Sequence, residues 1–166
     1  MKKIAIMVAF LIVAPVYAIS DEENILSISI ERVRKITDSS TNFSIIVNVD
    51  DYRWETEFEG YDLITNISKT FYIKENKDKI SISIEIIEKN GKRGYITTDD
   101  GILNIEIDTK RGNWYGDDFL GDEDGYGHAS GCSDGKIEEN DYEIWFDITY
   151  NDFDNDGLTY WEEVNI

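Results

Sequence analysis

Three aspartates at alternate positions, a glycine and then a glutamate stand near the end of this 166-residue chain: Asp152, Asp154, Asp156, Gly157 and Glu163. D-x-D-x-D-G followed by five residues and Glu is the spacing of a calcium loop. A hard cation takes about six to eight oxygens, and alternate residues in a tight turn aim their carboxylates at one point. Gly157 permits the sharp bend, the Leu158 carbonyl adds an oxygen, and Glu163 closes the shell bidentately. Without an ion the cluster opposes itself, because two carboxylates about 4 Å apart repel by roughly 4 kcal/mol at an effective dielectric near 20. A solvated acidic tail would account for the charge but not for the offsets, so calcium is predicted here.

A second acidic run, Trp114-Tyr-Gly-Asp-Asp-Phe-Leu-Gly-Asp-Glu-Asp-Gly125, contains Asp117 and Asp118 and then Asp122, Glu123 and Asp124. It is either a solvated loop or a segment ordered around metal. Trp114 and Tyr115 either pack to order that loop or form an exposed tip that contacts lipid or sugar. Trp54, Trp145 and Trp161 read as core or packing residues. His128 and Cys132, four apart, are the single histidine and the single cysteine, too few for a zinc site of N and S ligands. As a thiol and base they would need the loop to fold back on itself. The 35 acids offer many carboxylate pairs, but nothing marks one for glycoside hydrolysis. There is no phosphate loop, serine-nucleophile elbow or metalloprotease helix. The chain therefore reads as a non-enzymatic binding protein, with a Cys132 hydrolase or a carboxylate glycosidase as the lesser alternative.

Lys2 and Lys3 precede an apolar run from Ile4 to Val16, and Val16-Tyr17-Ala18 supplies the small residues of a signal-peptidase site. Residues 1–18 are predicted to be a signal peptide, with a retained N-terminal anchor as the alternative, and the remainder is expected to be secreted or held at the cell envelope. Loss of the two lysines takes the net charge from −19 to −21. The charge is lopsided: residues 19–98 carry 15 acids and 11 bases, residues 99–166 carry 20 acids and 3 bases. That balance repels nucleic acid and bare anionic lipid, and it suits the calcium concentrations in which weak extracellular modules work. With one cysteine the chain can form no internal disulfide. Asn42-Phe-Ser44 and Asn66-Ile-Ser68 are glycosylation sequons.

The elements that must position these residues are strands. Period-two alternation marks Leu26–Ile30, Ile80–Ile86, Leu103–Ile107 and Tyr142–Tyr150, with shorter candidates at Phe43–Val49, Tyr52–Phe58, Lys69–Ile73 and Gly94–Thr98. Isoleucine and aromatic residues suit a half-buried pleated surface. One face in and one face out implies two packed antiparallel sheets. The predicted fold class is thus all-β, an antiparallel eight-stranded β-sandwich over residues 19–150. A calcium loop and a short helix at Leu158–Val164 follow within 151–166. Glu88-Lys-Asn-Gly91 and Asp99-Asp-Gly101 read as tight turns. Residues 109–141, with seven glycines, read as one long functional loop.

An aspartate at a strand end (Asp108), a loop, then Asp117-Asp-Phe-Leu-Gly resembles the third calcium loop of the C-two domain family. Asp38-Ser-Ser-Thr-Asn42-Phe-Ser-Ile-Ile-Val-Asn-Val49 resembles that family's first loop and following strand, with asparagine where a second aspartate is usual and without the proline that usually follows. The resemblance covers about Asn24 to Tyr150. It implies an eight-stranded sandwich with calcium ligands Asp38, Asn42, Asp108, Asp117 and Asp118. The ending Asp-Gly-Leu-Thr-x-x-Glu-Glu-Val-Asn resembles a thrombospondin type-three repeat unit, an EF-hand-like loop, whose ligands map to Asp152, Asp154, Asp156 and Glu163. Together the parts resemble secreted archaeal proteins that continue into several repeats. The expected function is adhesion at the cell envelope, with calcium bridging to an anionic glycan or phospholipid surface. The alternative is a carbohydrate-binding module with structural calcium.

Overall fold

The computed structural model describes residues 24–37, 39–73, 77–117 and 126–151. The predicted signal peptide, the C-terminal loop and the helix expected after it lie outside the described residues. So do Asp38 and Asp118.

Ten strands form, and no helix occurs among the described residues. In order they are β1 (Asn24–Lys35), β2 (Thr41–Val49), β3 (Tyr52–Gly60), β4 (Asp62–Ile73), β5 (Lys79–Glu88), β6 (Arg93–Gly94), β7 (Leu103–Asp108), β8 (Trp114–Gly116), β9 (Gly127–Ser130) and β10 (Tyr142–Tyr150). They make two sheets, one ordered β4-β1-β10-β9 and the other β3-β2-β5-β7-β8, with β6 beside β5. Every named pairing is antiparallel. This is the predicted two-layer sandwich.

Alternation produces the layers. Ile80, Ile82, Ile84 and Ile86 of β5 are buried against Ile144, Phe146 and Ile148 of β10, Leu26, Ile28 and Ile30 of β1, and Ile45 and Val47 of β2, all in one core. Full burial of such a side chain contributes about 1.5–3 kcal/mol. The alternation of β1 slips at one point: the register with both neighbours shifts between Ile30 and Arg32. Asn66 on β4 sits in this bulge with φ +42°, a left-handed conformation that asparagine tolerates. After the slip Val33 and Lys35 face inward while Arg32 and Arg34 face out.

Three expectations change. The strand expected over Gly94–Thr98 is reduced to Arg93–Gly94 and one bridge from Tyr95 to Asp141. Ile96 alone of the following residues enters the core. β4 begins at Asp62, seven residues before the expected start at Lys69. Residues 109–141 are not one loop, because β8 and β9 extend the two sheets within it. Glycine makes the second extension possible. A Cβ on Gly127 would fall 2.1 Å from Phe146 Cζ, so only a bare backbone lets β9 lie against that ring. The Glu88–Gly91 turn forms as expected, with Gly91 N–H donating to the Glu88 carbonyl at φ +83°.

Candidate functional site

The sandwich has two ends. At one, β2 finishes at Val49, β7 at Asp108 and β10 at Tyr150, while β1 and β5 begin at Asn24 and Lys79. Asp50, Asp78 and Asp108 stand on these connections. Asp50 accepts from Ser81 N–H at 3.2 Å and pairs with Lys77 at 3.1 Å. Asp78 pairs with Lys110 at 2.9 Å, and Asp108 approaches Arg111 at 3.9 Å while accepting from Lys110 N–H at 3.0 Å. Each aspartate has a local cation. Such exposed pairs contribute about 0–1 kcal/mol each.

The chain leaves this same end through Asn151, the residue before the predicted calcium loop. Asn151 adopts φ +58° and is bound twice to Ile25: its N–H donates to the Ile25 carbonyl at 2.7 Å, and its Oδ1 accepts from Ile25 N–H at 2.8 Å. Its side-chain amide also reaches Asn24 Oδ1 at 3.1 Å. Asp152, Asp154, Asp156, Leu158 and Glu163 follow, outside the described residues.

Of the ligand set implied by the C-two resemblance, Asn42, Asp108 and Asp117 are described, and they do not converge. Asn42 is the second residue of β2, at the opposite end, where its carbonyl accepts from Lys89 N–H. Asp108 faces Lys79 across β7 and β5, whereas Phe43, next to Asn42, faces Glu88. The length of β5 from Lys79 to Glu88 separates those positions, about 30 Å at strand rise. Asp117 lies opposite Asn104, four residues before Asp108 on β7, or about 13 Å away along the strand. Its carboxylate accepts from Asn104 N–H at 2.7 Å and from the Asn104 side-chain amide at 3.1 Å. Among the described residues no group of three or more metal-ligating side chains comes together, and Asn42, Asp108 and Asp117 stand too far apart to share one ion.

The aromatic candidates separate. Trp114 is 2% exposed and packs on Phe146 with ring centroids 5.5 Å apart, so it is core and not a tip. Tyr115, its neighbour, is 44% exposed on the outer face. Trp54 packs against the core edge. Trp145 lies outside, between two cross-strand neighbours: His128 stacks on it at 4.8 Å and the Arg32 guanidinium lies 5.0 Å from its ring centre. Arg32 is pinned by two bonds to Asp62, which hold that carboxyl below its ordinary range. His128 also stands 3.7 Å from Glu143, while Cys132 contacts Ser130 Oγ at 3.2 Å. The histidine and the thiol thus have separate partners.

The opposite end of the sandwich holds a feature that the sequence reading missed, a charged pair between the sheets. Lys35 of β1 and Glu88 of β5 are each 5% exposed. The Tyr142 hydroxyl donates to the same carboxylate at 2.9 Å, and the Asn90 amide donates at 3.1 Å. Burial opposes ionisation of Glu88, but the donors outweigh it and hold its pKa below 4.5; burial and then that carboxylate push the Tyr142 phenol up. The signal was available: continuing the β5 alternation past Ile86 places Glu88 inside.

No family model and no curated protein matches the chain. Among solved structures it is similar to extended-synaptotagmin 2. With the piece holding that protein's two C-two domains, A and B, the identity is 12% and the TM-score 0.46, covering 77% of this chain and 39% of that one. With the piece that holds the SMP domain as well as those two, the values are 14% and 0.44, covering 77% and 27%. The chain therefore spans about two-fifths or less of the length of either.

Proposed function

We propose that this chain is an exported, non-enzymatic binding module of the cell envelope whose acidic C-terminal segment takes up calcium. One observation carries the reading: an oxygen-only donor set at calcium-loop spacing, Asp152 to Glu163, follows directly on a residue, Asn151, that is hydrogen-bonded into the sandwich. Carboxylate and carbonyl oxygens, with no imidazole or thiolate among them, suit a hard cation better than zinc or copper. Calcium would remove the repulsion among the carboxylates, so binding and ordering of the segment become one event and the native state gains stability by mass action. Adhesion or display at the envelope is the use that fits an exported, strongly acidic sandwich.

The test is calorimetric calcium titration of residues 19–166 and of the same chain carrying Asp154→Ala. A saturable site that is lost in the variant supports the reading. Equal heats from both proteins, or none from either, remove it.

A further inference from the structure

The outer face of the β3-β2-β5-β7-β8 sheet carries an unusual floor. One cross-strand row runs Asn48, Ser83, Asn104, Asp117 from β2 to the end of β8. The next row runs Asp50, Ser81, Glu106, Tyr115. All eight are polar, and four of the five on interior strands are short: Asn48, Ser81, Ser83 and Asn104, with Glu106 the exception. A face shaped by stability alone would carry β-branched or long charged residues there, since asparagine is a poor strand former. Short residues flanked by long ones leave a groove of about 500 Å³ along the sheet.

Its groups are pre-positioned. Asn48 donates to Ser83 Oγ at 3.1 Å and Asn104 donates to Asp117, so both amides lie along the floor. Tyr115 forms a wall, its hydroxyl tied to the Glu106 carboxylate and 3.0 Å from Lys79 Nζ, which leaves the ring fixed and 44% exposed. These bonds, Glu106 first, raise the Lys79 pKa, and Lys79 and Tyr115 lower that of Glu106.

We infer that this groove binds a neutral saccharide. Planar amides and carboxylates in adjacent rows can accept and donate to neighbouring ring hydroxyls, and an exposed tyrosine face covers the C–H side of a sugar ring. Asp50, Glu106 and Asp117 turn away phosphate, sulfate and uronate. The lysines at the rim offset two of these charges, Lys79 beside Glu106 and Lys77 beside Asp50, and Asp117 keeps the groove net negative. The inference rests on the reading of the chain as a binding module, not on its calcium site, since every residue of the groove belongs to the sandwich.

The experiment is affinity electrophoresis of the full chain, in calcium, through gels containing neutral polysaccharides: glucans, mannans, galactans, xylans and chitin-type polymers. At least one should retard the protein. Ser83→Lys, which fills the groove, and Tyr115→Ala, which removes its wall on an edge strand, should each weaken retardation at least tenfold. Glu57→Lys, on the same sheet but outside the groove, should not. If Ser83→Lys fails to fold, Tyr115→Ala decides. No retardation in any gel, equal retardation of Tyr115→Ala, or displacement of the sugar by anionic phospholipid vesicles overturns the inference. Melting curves with calcium and with chelator, run in parallel, keep the two readings apart: a calcium shift without sugar binding sinks the groove alone, and sugar binding without a calcium shift sinks the calcium site alone.

Discussion

Lys35 Nζ lies 2.6 Å from Glu88 Oε1 with both side chains enclosed between the sheets, a salt bridge that ties β1 to β5 across the sandwich. Taking two charges out of water costs several kcal/mol per ion, which their attraction offsets only when the remaining donors are satisfied. Here Tyr142 and Asn90 satisfy the carboxylate, and the lysine ammonium also lies 5.7 Å from the Tyr142 ring. The pair joins the two sheets at the end away from Asn151.

Removal of one partner leaves the other charge buried alone. Lys35→Met and Glu88→Leu are each expected to cost about 3–5 kcal/mol, and the double variant to recover most of that loss. Urea unfolding of the four proteins gives the coupling. Single losses below about 1 kcal/mol would mean that water reaches the pair.

Acid should act through the same carboxylate. The Glu88 pKa is lowered in the fold from its ordinary 4.5, burial being outweighed by Lys35, Tyr142 and Asn90. A lowered pKa contributes stability that is complete above the unfolded value and is lost as pH falls through the folded one. Glu88→Gln lacks that contribution, so the melting-temperature gap between it and the wild type should narrow on acidification from about pH 7 to about pH 3. The other carboxylates titrate in both proteins and largely cancel. A gap that stays constant would show that folding does not lower the Glu88 pKa.

The strands were legible because their faces are chemically distinct. Ile80 to Ile86 alternate with serine and glutamate, and that alternation alone marks β5 as a strand with one face in the core. What alternation could not show is where it slips, since the shift between Ile30 and Arg32 comes from a bulge opposite Asn66 on another strand. β8 and β9 were hidden for a related reason. Trp114–Gly116 and Gly127–Ser130 are three and four residues long, too short to display a period, and glycine in each reads as loop. Asn42 and Asp108 of the C-two set lie apart because motif spacing says nothing about strand register: they belong to opposite ends of the same sheet. The groove on the outer face of the larger sheet was out of reach for the same cause, being made of residues from four strands.

Two kinds of glycine should respond differently to substitution. Gly127→Ala puts a methyl within 2.1 to 2.6 Å of three Phe146 ring atoms, so the ring or β9 must move; overpacking of this kind costs about 1–3 kcal/mol. Gly91 has φ +83° but nothing within 4 Å of a new Cβ. Asparagine accepts left-handed backbone, so Gly91→Asn should cost less than about 1 kcal/mol in urea unfolding, where alanine strain alone would approach 1–2 kcal/mol. Equal losses at both positions would contradict the packing of β9 on Phe146.

Asn151 offers the sharpest test of how the tail communicates with the sandwich. Ordering of a terminal segment by calcium stabilises the sandwich only if the two are mechanically joined, and the bonds from Asn151 to Ile25 are the join among the described residues. Asn151→Ala removes the Oδ1 acceptor, orphans Ile25 N–H and puts a Cβ residue without a polar side chain at φ +58°. The cost should be about 1–3 kcal/mol. If the proposed calcium site is real, calcium should still bind this variant with unchanged stoichiometry, while the calcium-dependent rise in melting temperature shrinks. Asn151→Gly keeps the left-handed backbone but not the side-chain bonds, and should fall between. A calcium shift as large in Asn151→Ala as in the wild type would place the join elsewhere.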